Sequence, residues 1–501
     1  MRIRPATRRT TGSVAALAVA GLLAATAAAA APAAAAPTGG DGKGSHRVEY
    51  FPDPGGAGKT VEVPATAPRK SGRSTGASLS AAEAALDGAV GRQQVTGSTD
   101  DRLDVVIIGD GYTADQQADF HADATAKWAD ITAVEPYRSY RDLFNVWTVD
   151  AVSNESGISG DPGADIVKDT ALSSYFWCGD IERLVCADID KVASYAAEAP
   201  AADLVVVIAN STKYGGAGYS GLQDEGYPFG GVSTLSSDNA KSSMIAVHEI
   251  GHSVGLLDDE YTYPSYGTWT GGETDGPNST TYSPAQLAEK RAKWYRWLGE
   301  SDPTGSTVGT YEGSAYYPLG IYRPTSTSLM RELSSTEFNL PGREAMIAGF
   351  YRAGNVLSST LDTSAAITHG KRIRVTLADL GSTDDQGHGS GPAAGLARTD
   401  LRWYVDGVEK VSARGRTAVT PGLARRARGR PRPPGDRRVR GPYGRHPRPR
   451  GPRPGHRHAH LDRRGGRAPV GSSRGPGPGR QAMIGTTASG VSIRNVNDWW
   501  K

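Results

Sequence analysis

The chain has 501 residues and a formal net charge of +3, which sums two very different regions. Residues 421–480 hold 18 Arg, no Lys and two Asp, a net charge of +16, so the rest of the chain carries a net charge of −13. Most of the chain is therefore acidic, which argues against a nucleic-acid-binding protein, and its two cysteines are too few for a disulfide scaffold.

The first 36 residues have the organisation of a secretory signal peptide. Four arginines within the first nine residues precede an apolar stretch at 14–29 and an Ala-rich run that ends at Ala36 with several cleavage sites. The apolar stretch is short, so we expect a cleaved signal rather than a retained membrane anchor. We therefore expect a secreted protein, exported by the Sec or the twin-arginine route, with no membrane association once residues 1–36 are removed.

Residues 37–100 are rich in Gly, Pro, Ser and Ala. The sequences HRVEYF and TVEVP predict a strand or a hairpin, and the Ala-rich patch from Ser80 to Val90 predicts a helix. We interpret this region as a linker, a pro-segment or a small β-unit.

The main domain, residues 101–354, alternates apolar strands with helices. Strands are predicted at LDVVIIGD, at FNVWTVDAV from Phe144 and at DLVVVIANS from Asp203, with a helix at about 114–132. Almost wholly apolar strands are typical of a sheet covered on both faces. The weaker segment Tyr227–Leu235 is predicted as an edge strand able to bind an extended substrate. The expected fold class is α/β (α+β), a mixed sheet packed on the helix that follows.

That helix carries an HExxH motif, formed by His248, Glu249 and His252. The spacing puts both imidazoles on one helical face, where they can bind a zinc ion with the glutamate beside them as general base. The helix is predicted to be N-capped within Ser237–Asp238 and to stop at Gly255. The alternative is a structural helix with two surface histidines.

Cys178 and Cys186 lie close together in the sequence WCGDIERLVC. An exported protein can oxidise them, so we predict a local disulfide. The alternative, a second metal site, lacks further Cys or His partners nearby.

After the motif the chain is irregular, aromatic and Gly-rich, which we interpret as the lining of a cleft. Helices are predicted at Ser283–Leu298 and from about Gly342. Residues 366–420 alternate like strands and predict a partial β-domain, with a hairpin that turns at Asp406-Gly407.

Residues 421–480 are mostly Arg, Pro, Gly and His and lack the apolar surface needed to offset chain entropy. One interpretation is a disordered basic arm. We favour a shifted reading frame in a GC-rich gene, because these residue types share GC-rich codons and a strand-like remnant returns within residues 481–501. Resequencing tests this hypothesis, which fails if no neighbouring frame encodes alternating strands.

Five sequence blocks carry a family resemblance. They are GDGYT, WCGDIERLVC, ANSTKYGGAGY, HEIGHSVGLLDDEY and SLMRE…FNLPGREAM, in this order between about Arg102 and Arg352. Together they resemble the secreted IgA-peptidase family of zinc metallopeptidases. The resemblance implies a zincin catalytic domain with a metzincin-like plan, in which His248 and His252 are zinc ligands and Glu249 is the general base.

The third zinc ligand is open between two adjacent aspartates. In metzincins the chain turns at a glycine, here Gly255, and the residue six positions beyond the second histidine meets the metal, which here is Asp258. The family's own Asp-Glu-Tyr block falls on residues 259–261, so we favour Asp259 and keep Asp258 as the alternative. Met330 resembles the methionine that lies beneath the metal in metzincins; the alternative is an ordinary core methionine.

The motif and the resemblance together predict a secreted endopeptidase that hydrolyses peptide bonds with zinc-activated water and Glu249 as general base. The expected partner is a polypeptide substrate, and the candidates for stabilising the oxyanion are Tyr261, Tyr311, Tyr316 and Tyr322. The alternative function is a catalytically lapsed secreted or cell-surface binding protein on the same fold. The intact His, Glu and His argue against that alternative.

Overall fold

The computed structural model describes residues 44–65, 79–359, 371–378, 380, 401–405, 408–420 and 491–492. The predicted signal peptide at 1–36 and the Arg-rich segment at 421–480 lie outside the described residues, as does the turn at Asp406-Gly407.

A mixed eight-stranded sheet forms the centre of the described structure. Its strands are β1 (Ser45–Tyr50), β2 (Lys59–Pro64), β3 (Val90–Gln94), β4 (Leu103–Asp110), β5 (Phe144–Val149), β6 (Leu204–Ala209), β7 (Gly216–Ser220) and β8 (Gly231–Ser236). Their spatial order is β2-β1-β7-β8-β6-β4-β5-β3. Strands β8, β6, β4 and β5 run parallel, and the other neighbours pair antiparallel. The prediction of a mixed α/β sheet is confirmed.

The described residues form six α-helices. They are α1 (Ala81–Ala84), α2 (Gln117–Ala133), α3 (Ile189–Ala196), α4 (Ser243–Gly255), α5 (Pro284–Lys290) and α6 (Leu340–Ala353). Of these, α2, α4 and α6 cover one face of the sheet and α3 covers the other. Val105 and Ile107 of β4 pack in one core cluster with residues of α2, α4 and α6. Val106 and Ile108 pack in a second cluster with residues of α3. Because successive side chains point to opposite faces, a strand covered on both sides has to be apolar throughout.

The prediction that Tyr227–Leu235 forms an edge strand is wrong. β8 begins at Gly231, is buried along its whole length and lies between β6 and β7. Its outer neighbour β7 comes from the Gly-rich sequence GAGYS, which has no apolar alternation to mark it as a strand. β7 is in turn covered by β1.

Helix α4, which carries HExxH, begins later than predicted. Its N-cap is Ser242, whereas the predicted cap at Ser237–Asp238 lies in the turn that follows β8. The helix ends at Gly255 as predicted, but Leu256 makes the turn with a left-handed backbone (φ 55°). Gly255 is needed for close packing, since a Cβ there would lie 2.6 Å from the sulfur of Met346.

The helix predicted at Ser283–Leu298 is only partly formed. α5 ends at Lys290, and Arg291 and Lys293 adopt left-handed backbone (φ 52° and 46°). This turn takes Trp294 into a separate buried cluster.

The remaining strands form small sheets. They are β9 (Tyr311–Ser314), β10 (Tyr317–Arg323), β11 (Leu357–Ser358), β12 (Ile373–Arg374), β13 (Thr376–Leu377), β14 (Tyr404–Val405), β15 (Val408–Glu409), β16 (Ala418–Val419) and β17 (Val491–Ser492). β14 and β15 pair antiparallel, as the predicted hairpin requires. A separate C-terminal β-domain and the domain boundaries stay predictions. No helix within the described ranges is long and apolar enough to cross a membrane.

Candidate metal centre

Helix α4 places its two histidines next to each other, near strands β7 and β1 of the sheet. The Nε2 atoms of His248 and His252 lie 3.0 Å apart. Nδ1 of His248 donates to the carbonyl of Leu329 at 3.0 Å, and Nδ1 of His252 donates to the carbonyl of Leu257 at 2.6 Å. Because both Nδ1 atoms are donors, the neutral rings present their Nε2 lone pairs to the same point.

The turn after α4 returns Asp259, and not Asp258, to the histidines. Oδ1 of Asp259 lies 3.1 Å from Nε2 of His248 and 3.3 Å from Nε2 of His252. Tyr316 donates to the other carboxylate oxygen at 2.6 Å. The carboxylate of Asp258 lies instead against Gly276, where a Cβ would come within 1.9 Å of it.

A buried hydrogen-bond network around Glu260 holds this turn in place. Its carboxylate accepts from Asn278 at 3.0 Å, Asn339 at 2.9 Å and Ser328 at 2.6 Å. Its backbone N–H donates to the carbonyl of Met330 at 2.8 Å. The network ties the residue after Asp259 to two loops, the one that precedes α5 and the one between β10 and α6.

We expect Glu260→Ala to lower the free energy of unfolding by about 3 kcal/mol, because it leaves three buried donors without their acceptor. Urea unfolding measures this loss. The exposed Glu300 supplies the control, since Glu300→Ala removes an equal carboxylate from the surface. Equal midpoints for the two variants would contradict a structural role for the network.

Met330 is buried beneath α4. A Cβ on Gly251 would lie 2.9 Å from its sulfur, so the glycine lets the helix approach the methionine. The neighbouring carbonyl of Leu329 binds His248, as given above. The segment therefore packs directly against the helix that carries the histidines, and the role that the family resemblance gives Met330 stays a prediction.

Glu249 is buried beside the histidines. Burial raises the pKa of Glu249 to about 8, and the charge of Glu49 adds to this, while the charges of the two histidines oppose it. Among the described residues, its Oε1 has no hydrogen-bond partner. A Cβ on Gly218 of β7 would lie 1.8 Å from this carboxylate, so β7 passes directly alongside it.

Glu49 of β1 completes the cluster and was missed from the sequence. Its Oε1 lies 3.4 Å from Nε2 of His248 and its Oε2 lies 3.3 Å from Nε2 of His252. Tyr261 donates to Oε1 at 3.0 Å. The signal available was strand alternation, which puts Glu49 on the same face of the hairpin as the buried Phe51.

Two of the four candidate tyrosines reach the cluster. Tyr261 binds Glu49 and Tyr316 binds Asp259, as described above. Tyr311 donates instead to the carbonyl of Thr307 at 2.9 Å, and Tyr322 pairs through its backbone with Thr280.

The electrostatics of the cluster favour positive charge. Burial lowers the pKa of His248, but the charge of Glu49 and hydrogen bonds with Asp259 and Glu49 outweigh it and raise the value to about 10. Burial also opposes ionisation of Asp259, but the charge on His252 and hydrogen bonds with both histidines hold its pKa well below its usual range. A metal cation would also be attracted by these carboxylates, and its binding to the imidazoles would release the protons that they otherwise hold.

The donor set fits zinc. One donor atom each from Glu49, His248, His252 and Asp259 lies within 4.8 Å of the other three. Ligands about 2.0–2.1 Å from a tetrahedral zinc ion lie about 3.3–3.4 Å from one another. The measured separations of 3.1–3.4 Å between imidazole nitrogens and carboxylate oxygens are close to that spacing.

Cys178 and Cys186 are joined by a disulfide in the segment that leads to α3. We expect the double variant Cys178→Ala/Cys186→Ala to lose about 2–3 kcal/mol of stability, because the bond closes a short loop. Urea unfolding with and without a reducing agent checks this. The reductant should destabilise the wild type and leave the double variant unchanged; a wild type that does not respond contradicts the prediction.

Helix α4 carries two histidines and the glutamate beside them, and Glu49 and Asp259 add two carboxylates. Together they define the candidate site of a metal-dependent hydrolase. The family model described as IgA Peptidase M64 matches residues 92–307 and 298–350. The chain belongs to this family of metallopeptidases, which confirms the resemblance, and its activity is that of a protease with a polypeptide substrate. No curated protein matches the chain.

Proposed function

We propose that the protein is a secreted zinc-dependent endopeptidase. The observation that carries the proposal is the convergence of His248, His252 and Asp259 beside Glu249, with imidazole and carboxylate donors 3.0–3.3 Å apart. These are the residue types that zinc prefers, and both imidazoles are oriented by backbone carbonyls.

A bound zinc ion supplies the Lewis acid that polarises the scissile carbonyl and makes the attacking water more acidic. His248, His252 and Asp259 would hold it. Tyr316 orients the carboxylate of Asp259 through its hydrogen bond.

Glu249 is the general base in this proposal. Its carboxylate takes a proton from the attacking water and passes it to the leaving amine. The burial that raises the pKa of Glu249 makes it a stronger base than an exposed carboxylate. Gly218 of β7 lies directly against this carboxylate, where any larger residue would displace it.

Export is part of the proposal. It is supported by the basic and apolar sequence of residues 1–36. The disulfide between Cys178 and Cys186 is consistent with an oxidising compartment.

A gelatin or casein cleavage assay on the purified protein tests the function. We expect cleavage that a chelator abolishes and zinc restores. Cleavage that is indifferent to chelator contradicts zinc dependence. A protein that binds zinc but cleaves nothing, both as wild type and with Glu49 substituted, supports the lapsed binding protein instead.

A further inference from the structure

The hairpin of β1 and β2 lies where a polypeptide substrate has to bind. β1 pairs antiparallel with β7, with Val48 opposite Tyr219 and Glu49 opposite Gly218. Gly218 is the residue of β7 that touches the carboxylate of Glu249. Any extended chain that pairs with β7 at this register therefore passes the general base.

Glu49 also lies where a catalytic zinc site keeps its fourth coordination position open. Structural zinc sites have four protein ligands, whereas catalytic sites have three and keep the fourth position for water or substrate. His248, His252 and Asp259 already supply three. The carboxylate of Glu49, 3.3–3.4 Å from both histidine nitrogens, is placed as the fourth.

The hairpin stands apart from the part of the chain that defines the family. The family match begins at residue 92 and includes His248, Glu249, His252 and Asp259. Glu49 precedes it. The peptidase machinery shared with the family is thus complete without this carboxylate.

Several contacts keep the hairpin docked on the site. Phe51 is fully buried, with its ring centroid 4.9 Å from that of His248. The backbone N–H of Leu333 donates to the carbonyl of Gly56 at 3.1 Å. At Gly58 a Cβ would lie 2.0 Å from the Glu49 carboxylate, so the hairpin closes tightly around it.

We propose that Ser45–Pro64 is an internal inhibitor, in which β1 occupies the strand position of the substrate and Glu49 is a removable fourth metal ligand. This inference rests on the proposed function. The structure is then the latent form of the peptidase, and activity requires β1 to leave β7. A substrate competes with the hairpin, so its apparent affinity is reduced by the fraction of molecules that are open.

Two variants of Glu49 in the full chain test this, with a control on the same hairpin. Glu49→Gln keeps the shape and removes the charge, whereas Glu49→Asp keeps the charge and shortens the reach. We expect both to weaken zinc binding roughly tenfold or more, measured by chelator competition, and to raise kcat/KM roughly tenfold by weakening the docked state. Glu62→Gln changes an exposed carboxylate of β2 and should change neither quantity.

Zinc affinity is measured in a Glu249→Gln background, so that self-cleavage cannot alter the hairpin. Unchanged zinc affinity in both Glu49 variants overturns the fourth-ligand assignment. A fall in kcat/KM overturns the inhibitor assignment and makes Glu49 part of the catalytic machinery. If no variant cleaves any substrate, the proposed function fails, and zinc affinity alone then decides the role of Glu49.

Discussion

Glu249→Gln lowers kcat about 10²–10⁴-fold, the range that loss of a general base produces. Glutamine has the same size and hydrogen-bonds in the same place, but it cannot accept the proton of the attacking water. KM should change little, because no substrate-binding group is lost. Zinc content should also be unchanged, because the carboxylate of Glu249 lies outside the four-residue donor cluster.

Peptide cleavage kinetics and metal analysis of the same preparation check this prediction. Glu300→Gln is the matched control, since it makes the same change at an exposed position. Activity within a few-fold of wild type would falsify the general-base assignment. Loss of zinc together with activity would show that Glu249 acts through the metal site's structure instead.

Asp259→Asn and Asp258→Asn form a matched pair, because the same isosteric change is made at adjacent positions. We expect Asp259→Asn to weaken zinc binding by about 100-fold or more, since even residues that only orient a ligand contribute 10–100-fold. Asp258→Asn should bind zinc within a few-fold of wild type. Of these two aspartates, only Asp259 has its carboxylate at the histidine nitrogens.

Thermal or urea unfolding at a fixed excess of zinc gives an independent measure. A 100-fold weaker site loses about 2.7 kcal/mol of zinc-linked stabilisation. Zinc should stabilise Asp258→Asn as strongly as wild type. The opposite ranking of the two variants would assign the third ligand to Asp258.

The parts of the fold that were predicted correctly depend on local sequence. β4, β5 and β6 are runs of apolar residues, and a strand buried on both faces leaves that pattern whatever its partners are. The two histidines of α4 meet because a helix repeats every 3.6 residues, so their spacing alone places them together.

The errors occur where distant partners decide the structure. The segment that contains β8 was predicted as an edge strand because its strand pattern is weak, but the Gly-rich β7 covers its outer side. α5 stops at Lys290 although the helical pattern continues, because Trp294 is buried in another cluster. Neither pairing nor burial against remote segments appears in a local pattern.

The choice between the two aspartates also depended on remote contacts. Both lie within a short reach of α4. The family's Asp-Glu-Tyr block favoured Asp259, but the chemistry of two adjacent carboxylates could not separate them. Leu256 turns the chain, and Glu260 anchors it to loops that contain Asn278, Ser328 and Asn339. That anchoring directs Asp259 to the histidines.

The sequence by itself determined the helical motif, the apolar central strands and membership of a metallopeptidase family. Tertiary structure alone decided which aspartate reaches the histidines and brought Glu49 to them. Tyr261, which binds Glu49, is 212 residues away from it along the chain. Side chains so far apart in the chain meet only when β1 pairs with β7. The free energy of that pairing comes from contacts between distant segments, which no local sequence pattern records.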